Sequence, residues 1–247
     1  MGEDVTLCYN ILNMKRSRLI LLTLVPLLLC SCGKNKPQEE VKPADTSYYD
    51  QKVAQFTNEN PSLEKGQIIF LGDSITDYCP LNDYYGDLSK KVYNRGIGGD
   101  TTEGVIKRLQ VSIYDLEPSK IVLLIGINDM NMKWEDEKIL TNYETILSDF
   151  KTKLPNTMVY PLSITPQNKT VETYAGWINA EKANIKAREL NSEIEKLANK
   201  YSYTYLDIHS ALADSEGYLK EECSADGIHL STGGFQTWAN ILKPYLI

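Results

Sequence analysis

Apolar residues recur along this chain with two different periods. Short runs rich in β-branched and aromatic residues, at 67–71, 91–94, 120–125, 157–162 and 203–208, are apolar almost throughout and predict five buried strands. Longer stretches at 102–116, 135–154, 178–200 and 234–246 predict helices; Ile178, Ile185, Leu190, Ile194 and Leu197 keep roughly helical spacing within the third. A short leading helix is expected over 48–58, closed by Glu59-Asn60-Pro61. Strands alternating with helices of this length imply an α/β fold, a parallel sheet covered on both faces by right-handed crossovers.

The unusual segments fall just after the predicted strands. Gly72-Asp73-Ser74 follows the first, Gly96-Ile97-Gly98-Gly99-Asp100-Thr101 the second and Gly126-Ile127-Asn128-Asp129 the third. Ligands of open parallel sheets bind at these carboxyl ends, so a hydroxyl there stands where chemistry can occur. A serine needs a base to take its proton, and a histidine held by a carboxylate is the usual one. Asp226-Gly227-Ile228-His229 supplies such a pair from one of only two histidines. Acyl transfer also needs donors for the developing oxyanion; the Ser74 N–H, the glycine turn and the Asn128 amide are candidates. Ser74 could equally cap a helix, a role compatible with the first, and Asn128 and Asp129 could be a turn pair, Asp129 supporting the loop. The second histidine, His209, stands two residues after Asp207, on the same face of a predicted strand, so the two could form a rival Asp–His pair. With no glycine or donor block beside it, His209 reads as a packed or capping side chain.

These segments, in this order from about Gly66 onward, resemble the four conserved blocks of the SGNH or GDSL hydrolases: Gly72-Asp73-Ser74, Asn94 to Thr101, Gly126 to Asp129 and Asp226 to His229. The run Asn94 to Thr102 is particularly similar to the catalytic subunits of platelet-activating-factor acetylhydrolase. The resemblance implies a three-layer αβα sandwich of flavodoxin-like type, here with a five-stranded parallel sheet. It also implies a metal-free Ser74-His229-Asp226 triad without cofactor, and an oxyanion hole of Ser74, Gly99 and Asn128. Ile75 replaces the leucine of the GDSL box, a change of apolar shape only.

The first 47 residues are different. Met14-Lys15-Arg16-Ser17-Arg18 precedes an apolar run of 12 residues, Leu19 to Cys30, then Ser31-Cys32-Gly33. This reads as a leader with Met14 as the true start; the run is shorter than the roughly 18 apolar residues of a membrane span. Leu29-Cys30-Ser31-Cys32 resembles a bacterial lipobox, which implies a lipid on Cys32, a tether over 32–47 and a hydrolase domain over 48–247 in the bacterial cell envelope. The chain carries a net charge of −7, and −8 without residues 1–31, which hold three basic and two acidic residues. Such a surface repels phosphate backbones and argues against nucleic acid as a partner.

Cys79 and Cys223 flank the Ser74 and Asp226 segments; a disulfide and two buried thiols are both open, and no CxxC or Cys/His cluster supports structural zinc. Trp134, Trp177 and Tyr174 fall in connections where they could stack on sugar rings or simply pack. The expectation is an exported esterase acting on a short acyl ester of a glycan or small molecule. A lysophospholipase or thioesterase is an alternative, and a non-catalytic glycan-binding lipoprotein another.

Overall fold

In the computed structural model, residues 46–173 and 177–247 are described. Four of the apolar runs form strands: β1 (Ile68–Gly72), β2 (Val92–Gly96), β3 (Lys120–Leu124) and β4 (Met158–Pro161), all parallel, in the order β2-β1-β3-β4. Every residue of β1 and β3 is buried, which is why neither run alternates apolar with polar. Gly72 is in register with Gly96 on one side and with Leu124 on the other. The three segments that follow these strands therefore start level, beside the point where the strand order reverses about β1.

The expected fifth strand, 203–208, is absent. That segment runs beside β4, with Thr204 N–H donating to Val159 O at 3.3 Å and Leu206 N–H to Pro161 O at 3.0 Å, but only the Leu162–Leu206 pair qualifies as a parallel bridge. The reason is Pro161: it stands where β4 would donate to this neighbour, and it has no N–H to give. Ser163 takes over beyond it, its Oγ accepting the backbone N–H groups of Ile208 and His209 at 2.8 and 2.7 Å. The architecture stays α/β, with one strand fewer than expected.

The helices are α1 (Thr46–Glu59), α2 (Ser74–Asp77), α3 (Leu81–Tyr85), α4 (Thr102–Lys107), α5 (Leu109–Ser112), α6 (Ile127–Asn131), α7 (Asp136–Lys153), α8 (Ala180–Lys200), α9 (His209–Leu212) and α10 (Thr232–Leu246). The single helix expected over 102–116 is broken into α4, α5 and a 3-10 turn at Tyr114–Leu116. The break falls at Arg108, which leaves helical geometry (φ −113°, ψ 10°) and is drawn into the interior. Aromatic contacts seat α3 and α10 on the sheet: Phe70 meets Tyr85 at 4.9 Å and Trp238 at 6.0 Å between ring centroids. No helix among the described residues is long and apolar enough to cross a membrane.

The buried stripe of α8 differs from the expected one. Ile185 is exposed, whereas Ala183, Asn184, Ala187, Leu190, Asn191, Ile194 and Ala198 are buried. The two asparagines serve the irregular segment after β4. Asn191 accepts Ile164 N–H at 2.7 Å and donates to Ile164 O at 3.0 Å; Asn184 does the same for Gln167, at 2.7 and 2.8 Å. Two carboxamides thus replace a missing strand as partners for buried backbone. Asn191→Ala would leave Ile164 N–H unpaired, while Ile164 O keeps the His209 ring nitrogen at 2.9 Å. At about 1–3 kcal/mol for a buried orphan, a loss of that size is expected in urea unfolding.

Candidate active site

β1 ends at Gly72, where a side chain would collide with the Leu124 carbonyl oxygen and with Thr76 Oγ1. Asp73 then caps α2, its Oδ1 accepting Ile75 N–H at 3.0 Å, so Ser74 is the first residue of the helix and not its cap. Ser74 is 7% exposed. Its hydroxyl donates to His229 Nε2 at 2.8 Å, across 155 positions of sequence.

His229 and Asp226 belong to one tight turn. Asp226 Oδ1 accepts the N–H groups of Ile228 and His229 at 3.0 and 2.8 Å, and Gly227 takes φ +95°, a conformation that disfavours any other residue. His229 Nδ1 donates to Asp226 Oδ2 at 2.6 Å, which leaves Nε2 as the acceptor facing Ser74. Burial would raise the Asp226 carboxyl, but the bonds from the His229 ring and from the two N–H groups outweigh it and hold the group below the ordinary carboxylate range. The Tyr78 ring lies 5.1 Å from the His229 ring and is largely exposed.

The glycine segment after β2 closes as a turn through Asp100 N–H to Ile97 O at 3.1 Å, with Gly99 at φ +76°. Positive φ at the third residue is the mark of a type II turn, and it turns the Gly98–Gly99 peptide across the plane of the turn. Gly99 N–H donates to no group among the described residues. Asn128, the second residue of α6, gives one amide hydrogen to Asp100 O at 2.8 Å and has a second to offer. Asp129 accepts the N–H and hydroxyl of Thr102, tying the start of α4 to α6.

Beneath these groups lies Arg108, 1% exposed. It donates from Nε to Asp100 Oδ2 at 2.7 Å, from Nη1 to Arg95 O at 2.8 Å and Ser112 Oγ at 3.0 Å, and from Nη2 to Gly72 O at 2.9 Å. A groove of about 520 Å³ lined by Phe56, Arg95 and Asp77 contains none of Ser74, Asn128 and His229.

The structure sets the other candidates apart. His209 is buried in α9, with its Nδ1 2.9 Å from Ile164 O; burial pushes its pKa down, so the ring is a neutral packing group. Trp134 is half-buried beneath the Lys138 ammonium, 3.5 Å from the ring centroid. Trp177 is half-buried, and Tyr174 and Cys32 lie outside the described residues. Cys79 and Cys223 are both free, buried thiols, which closes the question of a disulfide; burial pushes the Cys79 thiol up to about 12. Among the described residues no group of three His, Cys, Asp or Glu side chains is placed to hold a metal.

Residues 70–237 match the family described as GDSL-like lipase/acylhydrolase. The chain belongs to that family. A Streptococcus pneumonia protein proposed to be a platelet activating factor is 32% identical, with a TM-score of 0.74 over 81% of this chain and 94% of that one. A GDSL-like lipase from Bacteroides thetaiotaomicron shares the fold at 19% identity, with a TM-score of 0.68 over 78% of this chain and 96% of that one. An acetylxylan esterase from Geobacillus stearothermophilus shares it at 17% identity, with a TM-score of 0.58 over 74% and 95%. No curated protein matches the chain. As a member of the GDSL acylhydrolases, the protein is a carboxylic ester hydrolase.

One feature of the GDSL box in this acylhydrolase carries a cost. Burial pushes the Asp73 carboxyl up to about 8, the Asp100 and Asp129 carboxylates add to the rise, and Ile75 N–H and Arg108 oppose it. Its Oδ2 is buried without a partner. The folded protein therefore holds this proton up to about pH 8, whereas the unfolded chain releases it near pH ~4. The folded state binds the extra proton between those values, so this group's contribution is full below about pH 4 and is lost as pH rises towards about 8. Asp73→Asn keeps the cap and imitates the neutral acid. Its urea midpoint relative to the natural protein should rise steadily between pH 5 and pH 8, and a constant difference would contradict the assignment.

Proposed function

We propose that the chain is a serine esterase that removes a short acyl group, acetyl in the first instance, from a carbohydrate. The observation that carries this reading is the His229 ring, which meets Ser74 Oγ at 2.8 Å through one nitrogen and Asp226 Oδ2 at 2.6 Å through the other. Nε2 takes the hydroxyl proton as Ser74 Oγ attacks the ester carbonyl, and Asp226 stabilises the imidazolium. The Ser74 and Gly99 N–H groups and the second Asn128 hydrogen receive the oxyanion. As the tetrahedral adduct collapses, Nε2 returns the proton to the leaving alcohol. Water, deprotonated by the same nitrogen, then attacks the acyl-serine; the acid departs and Ser74 recovers its proton.

The short acyl group and the carbohydrate are supported by the fold shared with the acetylxylan esterase and by the similarity of Asn94 to Thr102 to the acetylhydrolase subunits. The lipobox-like Leu29-Cys30-Ser31-Cys32 supports a lipid on Cys32 that holds the enzyme in the bacterial cell envelope. A lipobox cysteine is diacylated, and two chains suffice for stable anchoring.

The decisive measurement is acetate release from acetylated sugars and xylan, with phospholipids and acyl thioesters alongside. Acetate from the glycans, and none with Ser74→Ala, is the expected outcome. Fatty-acid release without acetate would replace this reading with a lysophospholipase, and turnover surviving in pure Ser74→Ala would remove the triad. Asn128→Ala should lower kcat by about 10²–10³ while KM changes little, because the lost donor acts on the transition state.

A further inference from the structure

We infer that Asp77 is a positioning residue for the oxyanion hole, and that α1 acts on catalysis through it. The inference rests on the triad reading, since it concerns the donor at Gly99.

Asp77 is the last residue of the four-residue helix that Ser74 begins. Its side chain is 6% exposed. Oδ2 accepts Gly98 N–H at 3.0 Å, and it also accepts Tyr48 Oη–H at 2.6 Å; Oδ1 accepts the Lys52 ammonium at 2.8 Å. Tyr48 and Lys52 are successive turns of α1, which lies outside the residues matched by the family. Nothing in the reaction itself calls for a second carboxylate one turn from the nucleophile.

Its use lies in the turn it grips. The peptide that offers Gly99 N–H is flanked by two residues without side chains, so sterics do little to prevent it from rotating and turning its hydrogen away. One side of the turn is fixed by Asp100 N–H to Ile97 O. The other side is fixed only where Gly98 N–H meets Asp77. Because Asp77 N–H also bonds Asp73 O at 2.9 Å inside the same helical turn, Ser74 and the Gly98–Gly99 peptide are set from one short rigid piece. Asn94 holds that piece against β2, donating to Thr76 O at 2.7 Å. Tyr48 and Lys52 in turn hold the carboxylate in place and aimed. An oxyanion donor must be fixed before the charge forms, and this clamp supplies that preorganisation.

The test uses the full chain and p-nitrophenyl acetate, with a trifluoromethyl ketone that adds to Ser74 as a probe of the tetrahedral state. Asp77→Ala should lower kcat by about tenfold to a hundredfold with KM within about twofold, and weaken the ketone by the same factor, as a loosened donor would. Asp77→Asn keeps the size and so guards against misfolding. Its oxygen can serve Gly98 only by turning its amide hydrogens towards Lys52, so it should be impaired, and Lys52→Met in that background should restore kcat. Wild-type kcat and ketone affinity in Asp77→Ala, or in Asp77→Asn should the alanine variant not fold, would overturn the inference. So would a fall in kcat with no change in ketone affinity. Ser74→Ala separates the two readings: if it stays active the triad fails, whereas if it is inactive beside a fully active Asp77 variant only the role of Asp77 fails.

Discussion

The arrangement of the site depends on one buried cation. Burying a guanidinium costs several kcal/mol unless its donors find partners, and Arg108 places four of its five N–H groups by gathering the carbonyl of Gly72 from β1, that of Arg95 from β2, the carboxylate of Asp100 from the glycine turn and the hydroxyl of Ser112 from α5. Two strand ends and the turn between them are thereby drawn to a single point. Ser74 follows one of those strands and the glycine turn the other, so their separation follows from how far a guanidinium reaches. Removing either charge of the Arg108–Asp100 pair would strand the other, which makes the pair a constraint on the fold more than a source of net stability.

Much of this was legible in the sequence, and the reasons it was legible are local. Ser74, Asn128 and the glycine turn each stand directly after an apolar run, and Asp226 and His229 are close enough in sequence to be read as one unit. The misread parts are consequences of neighbours. Pro161 looks harmless within a β-rich run; its missing N–H matters only because the outer edge of β4 is where 203–208 would pair. The break at Arg108 is invisible in an apolar period, because it is imposed by a polar side chain turning inward. In α8, Ile185 marked the wrong face, while Asn184 and Asn191, which seven-residue spacing places on one side of a helix, are buried polar side chains that an apolar period does not register.

Asp77 was missed for a related reason. It reads as an ordinary acid at the end of a turn, and the group it holds is a backbone N–H some twenty positions away, which carries no sign in the sequence. A sharper sign is that Asp77, a second carboxylate one helical turn after Ser74, has no basic residue within its own segment to pair with.

The turn from Asp226 to His229 has a consequence for the order in which the protein comes alive. The sheet, α2, the glycine turn and Asn128 all precede it in the chain, and the turn is held in place by contacts such as Asn168 N–H to Gly227 O and the bridge between Ser224 and Leu230. On the reading given above, a nascent chain would carry a nucleophile with no base until residues 226–229, about 150 positions later, had been made and docked. Its serine would stay inert until then, and the return of esterase activity on refolding would time the docking of that turn, not the formation of the sheet.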